Sequence, residues 1–159
     1  MTSLAPFVLA LIASTAAPFG DLPAPVNGPA SLASLASQGE LDSEPAYARF
    51  KNARLKKVNA WFALGSDNRL TLSETQAVYN LVRAATSRPD PGSLCIISPR
   101  HYFSYTSEYG VVEALLCFEC HVAIFSINGW NTTRELDPSA QSRLNAMLQK
   151  HGVRIPVSK

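Results

Sequence analysis

Three cysteines and a Pro-Arg-His triplet share one segment: Cys95, then Pro99-Arg100-His101, then Cys117-Phe118-Glu119-Cys120. The chain has no other cysteine, so any thiol, disulfide or soft-metal chemistry must come from this cassette. The first chemistry open to it is sulfur pairing, which an oxidising compartment favours. An odd cysteine count leaves one thiol over. On a straight strand, residues three apart point to opposite faces, so a Cys117–Cys120 bridge would need a turn between them. Cys95 bridging across strands to one of that pair avoids the difficulty.

The second chemistry is metal binding. Cys95, His101, Cys117 and Cys120 supply a Cys3His set of the kind that holds zinc tetrahedrally. The Cys-x-x-Cys half is a normal zinc knuckle, but Cys95 and His101 are a loosely spaced partner to it. The third is a redox-active Cys-x-x-Cys, which needs its first thiol at a helix N-terminus. Here the motif runs into His121-Val122-Ala123-Ile124-Phe125, a strand pattern and the wrong context. Burial as free thiols is the plainest alternative, since cysteine packs as a small hydrophobe. Pairing among Cys95, Cys117 and Cys120 is the preferred reading, with zinc as the alternative.

The remaining polar groups are less specific. Arg100 and His101 precede an aromatic strand, where they would order a turn, and Glu119 and His121 could form an acid–base pair. No motif places a nucleophile with them. His151 falls in the last turn of a helix, where a cation is favourable. Asn131-Thr132-Thr133 is formally a glycosylation acceptor, meaningful only in a eukaryotic secretory route. Phosphate-binding glycine loops, His-Glu-x-x-His helices and nucleophile elbows are missing from the sequence. We therefore expect no catalytic residues and no cofactor, and Arg100, His101, Glu119 and His121 stand as partner-binding candidates.

These residues must be positioned by a chain of 159 residues, enough for one domain and an appendage. Its 47% hydrophobic content suits a globular core, and a net charge of +2 gives no reason to expect nucleic acid. The charge is uneven. Arg49, Lys51, Arg54, Lys56 and Lys57 cluster after an acidic and base-free segment. A solvated face explains such a run, and a phosphate- or acid-binding patch is the alternative.

The first twenty residues carry no charge, with an apolar run from Leu4 to Ile12 and small residues behind it. Ser14 and Ala16 fit a signal-peptidase site cutting before Ala17, although no basic residue precedes the run. The run is shorter than the roughly 20 residues a membrane span needs. Residues 1–16 are thus expected to be a signal peptide, leaving a periplasmic or secreted protein with no membrane anchor. Residues 17–45, rich in Pro, Ala and Ser, read as a disordered tether. A single α+β domain is then expected over 46–157.

Within that domain, Val58–Leu64 reads as a strand or the end of a short helix, followed by a turn at Gly65-Ser66-Asp67-Asn68. Ser73 and Gln76 suggest a capping box for a helix over 73–87, closed by Pro89 and Pro91. Leu94–Ile97, Tyr102–Thr106, Val111–Phe118 and His121–Ile127 are rich in strand formers, and their short connections imply an antiparallel meander. Alternation puts Val112, Ala114, Leu116 and Phe118 on one face of their strand, and Glu113, Leu115 and Cys117 on the other. Asp137-Pro138 opens a helix with a Leu144, Met147, Leu148 stripe, and Gly152 ends it. The expected fold is α+β: a three- to four-stranded antiparallel meander, a preceding helix, and a C-terminal helix on one face.

The pattern of Cys95, Pro99-Arg100-His101, Cys117-Phe118-x-Cys120 and a leucine-striped helix over 137–151 resembles small exported bacterial proteins of unassigned function. That resemblance transfers no activity. By analogy in size, export and architecture, it implies an immunity or inhibitor module that blocks a toxin or enzyme. The expectation is an exported, non-enzymatic module with a protein partner, and the zinc-binding domain is the alternative.

Overall fold

The computed structural model describes residues 20–50, 53–65, 68–90, 92, 95–153 and 155. The expected signal peptide over 1–16 lies outside them. Among the described residues, seven strands form one antiparallel sheet in the order β2-β3-β1-β4-β5-β6-β7. They are β1 (Pro25–Ser37), β2 (Lys56–Val58), β3 (Trp61–Leu64), β4 (His101–Ser107), β5 (Gly110–Cys117), β6 (Val122–Ile127) and β7 (Trp130–Glu135). The helices are α1 (Gln38–Ser43), α2 (Leu72–Ala85) and α3 (Gln141–Lys150).

The expectation of a three- to four-stranded meander is therefore corrected. The α+β class holds broadly, but the sheet has seven strands. The main reason is β1, which lies in the segment read as a tether and is an inner strand between β3 and β4. Alanine and serine are poor strand formers in isolation, but strand preference depends on what covers the strand. Here Leu32, Ser34 and Ala36 face the helices, while Ala33 and Leu35 face the other way, and all five are buried. Pro29 cannot donate to a ladder, and the register with β4 slips between Pro25 and Ala30. Gly28 is needed there: a Cβ would come 2.7 Å from the Thr106 Cβ. The segment before β1 is held as well, because the Tyr79 and Tyr105 hydroxyls donate to the Leu22 and Pro23 carbonyls at 2.8 Å.

Two further strands differ from expectation. Residues 58–64 split into a β2–β3 hairpin, with Asn59 at the turn at a φ of 52°. Trp130–Glu135 adds a polar edge strand beside β6. Leu94–Ile97 was expected as a strand, but Cys95–Ile97 belongs to none.

The helices pack on one face. Val78, Tyr79 and Val82 of α2 and Leu144 and Leu148 of α3 meet Leu32, Phe103, Leu116 and Phe125 of the sheet in the main core. Thr71, not Ser73, caps α2: its hydroxyl takes the Glu74 amide, and the Glu74 carboxylate takes the Thr71 amide at 3.0 Å. Asp137 caps a short 3-10 turn, Pro138–Ala140, that leads into α3. The opposite sheet face carries a smaller buried cluster of Ala33, Leu35, Val58, Ala63, Tyr102 and Leu115.

Candidate functional site

The cassette sits where the start of β4 meets the end of β5. Cys95 and Cys120 are at disulfide-bonding distance, with their Cα atoms 5.6 Å apart. They cross-link the loop before β4 to the turn after β5. Closing a loop with a sequence separation of 25 restricts the unfolded chain and contributes about 3 kcal/mol in the chain-entropy account. The turn that allows this reverses the chain through His121, at a φ of 55°. It brings Cys117 and Cys120 into one buried cluster with Val122, against which Ile97 packs. Cys117 remains a buried free thiol.

The Cys3His ligand set is not assembled. Two of its sulfurs face each other at bonding distance, and the imidazole is on the wrong side of the sheet. His101 pairs in register with Leu116, so its ring shares the helix-covered face with Leu116 while the neighbouring Cys117 points away. Among the described residues no three His, Cys, Asp or Glu side chains cluster as metal ligands.

His101 is 0% exposed, which leaves it no surface for a partner. Its Nε2 lies 2.6 Å from Asn145 Oδ1 of α3, an acceptor, so the proton is assigned to Nε2. Nδ1 has no hydrogen-bond partner among the described residues. The Phe118 ring stands edge-on to the imidazole, with centroids 5.1 Å apart. Burial pushes the imidazole below its usual value, and the Asn145 contact only partly opposes that.

Arg100 is also committed. Its Nη1 pairs with Glu40 Oε1 of α1, and both side chains are mostly buried. Burial works to raise the Glu40 carboxyl, but the Ser37 amide, then the Arg100 guanidinium, outweigh it and hold it below its ordinary value. Ser37 and Glu40 also form the capping box of α1, so Arg100 locks that short helix onto the sheet. Of the four partner-binding candidates, only Glu119 and His121 are exposed.

A second polar constellation, which sequence reasoning missed, lies on the other face. Lys56 Nζ and the Tyr102 hydroxyl both donate to Glu113 Oε1, at 2.8 and 2.5 Å. Register also aligns Ser31, Ser104, Glu113, Ser126 and Asn131 in one row across five strands. For Glu113, burial is outweighed by Lys56 and then Tyr102, and its carboxyl is lowered. Burial and the same carboxylate push Tyr102 up. Lys56 resists burial through Glu113 and Tyr102 and is raised. All three move away from neutrality, so none is poised as a general acid or base. The cluster is a cross-strand clamp.

Of the exposed large apolar side chains among the described residues, Ile96 lies in the cassette loop and Leu72 at the start of α2, and the other four lie toward the far end of the sheet. Tyr109 in the β4–β5 turn is 49% exposed, Val111 54%, Trp130 51% and Val26 41%. Pro25 pairs with Ser107, which sets Val26 beside the β4–β5 turn. The Asn128 amide of the β6–β7 turn donates to the Tyr109 carbonyl at 2.5 Å and ties the two hairpin tips together. Single exposed apolar residues are ordinary on protein surfaces, but tyrosine and tryptophan on adjoining tips are the residue types that anchor interfaces. No protein-family model matches the chain, and no curated protein or solved structure is significantly similar to it.

Proposed function

We propose that the chain is an exported, non-enzymatic binding module that engages a partner protein through its hairpin tips. The partner would be a toxin or enzyme whose cleft the tips enter. The observation that carries this reading is the placement of four exposed side chains, Val26, Tyr109, Val111 and Trp130, at one end of the sheet, where the two hairpin tips are tied together. The paired strands and the Asn128–Tyr109 bond hold the backbone of these tips in place before binding, which lowers the ordering cost of an interface. Export is supported by the Cys95–Cys120 pair, since such a bond persists in an oxidising compartment, and by the uncharged apolar start of the sequence.

The test is the native mass of the protein recovered from the exported fraction at its natural level. Wild type should elute as a stoichiometric complex, and the Tyr109→Ala/Trp130→Ala double variant should elute alone. Hot-spot aromatics cost about 2 kcal/mol or more each when truncated, enough to release a partner. Wild type eluting alone, or the double variant keeping the same partner, would reject the reading.

A further inference from the structure

The basic stretch that follows α1 is not a uniformly solvated face. Lys56 turns to the clamp with Tyr102 and Glu113, and the Lys57 ammonium lies 6.0 Å from the Phe62 ring centre. Arg49 and Arg54 instead line a cleft of about 560 Å³, together with Phe50, Leu55, His151 and Val153. The guanidinium of Arg49 rests 4.6 Å above the Phe50 ring and donates to the Gly152 carbonyl at 3.4 Å. Those contacts orient it but do not neutralise it. Arg54 has no carboxylate partner among the described residues. The nearby Glu74 carboxylate is already paired with Lys150, 2.8 Å away, and Asp42, which lines the adjoining hollow with Arg54, forms no ion pair with it among the described residues.

The apolar side of the cleft is equally specific. Phe50, Leu55 and Val153 belong to, or pack on, the main core. Gly65, at a φ of 79°, lets the end of β3 come so close that a Cβ there would sit 2.5 Å from Val153 Cγ2. Among the described residues, the cleft thus joins two arginines that have no carboxylate partner to an apolar wall, away from the hairpin tips.

We propose that this cleft binds a small amphiphilic anion, with a carboxylate or phosphate head on Arg49 and Arg54 and an apolar body against Phe50, Leu55 and Val153. Planar guanidinium groups match either oxyanion, and only the apolar wall selects the body. This inference does not depend on the hairpin-tip reading.

The full chain is titrated with 3-phenylpropionate, phenyl phosphate and neutral 3-phenylpropanol, followed by amide chemical shifts. Either anion should move the amides of Phe50, Leu55, Gly65, Gly152 and Val153, and the alcohol should bind at least tenfold more weakly. Which anion binds tighter identifies the head group. An Arg49→Ala/Arg54→Ala variant, checked for fold by circular dichroism, should lose at least tenfold in affinity for both anions, while Trp130→Ala should lose none. No response to either anion, equal binding of the alcohol, or undiminished binding by the double arginine variant would each overturn the proposal.

Discussion

The two ends of the sheet are built in opposite ways. At the cassette end, three chemically capable side chains are committed within the fold, His101 to Asn145, Arg100 to Glu40 and Cys95 to Cys120, while Glu119 and His121 stay exposed. At the hairpin-tip end, the polar groups serve only the turns, and the large apolar side chains face solvent. The contrast teaches that reactive residue types are a poor guide to which side chains this fold leaves exposed. Its most distinctive motif is largely invested in holding the fold, and the exposed side chains of the hairpin tips are residues no motif would single out.

The contrast sets an order of expected effects. Phe118→Ala removes a buried ring from between the cassette and the core, and should cost about 4 kcal/mol in denaturant unfolding. Cys95→Ser, or reduction of the pair, should cost about 3 kcal/mol through the freed loop. If instead both changes left stability untouched, the cassette would lose its structural role.

A pH effect comes next. The folded state keeps His101 neutral below the usual histidine range, so only the unfolded chain takes up its proton as pH falls through about 6.5. Stability from this group is complete above that value and should decline below it, by up to about 1.4 kcal/mol per pH unit. Unfolding curves at pH 8, 6 and 5 check this, and His101→Gln should flatten the profile. At the other end, Trp130→Ala and Tyr109→Ala should change stability by less than about 0.5 kcal/mol. A large loss there would mean that the tips are part of the scaffold.

Elements with strong local signals were readable from the sequence. The helix expected over 73–87 is α2 at Leu72–Ala85, found through its apolar spacing even though its cap is Thr71. Strands β4 to β6 match the aromatic and β-branched runs within a residue or two, and the alternation of β5 puts Leu116 and Cys117 on opposite faces as expected. What escaped depends on tertiary context. Ala30–Ser37 becomes strand because β3, β4 and the helices enclose it, and nothing in its composition announces that. Trp130–Glu135 is a polar strand whose ladder partner is supplied by β6. In the candidate site, the sequence singled out the cysteines but could not choose Cys95–Cys120 over the other pairings, since connectivity follows from the turn at His121. The exposed residues Tyr109 and Trp130 lie on separate hairpins whose tips come together only after folding.

The central claim is that the hairpin tips, and not the cassette, meet the partner. Placing a photo-crosslinking residue at position 130 in one variant and at position 119 in another, within the exported protein at natural level, addresses it directly. The account predicts one discrete adduct from position 130 and none from position 119. An adduct confined to position 119 would contradict it.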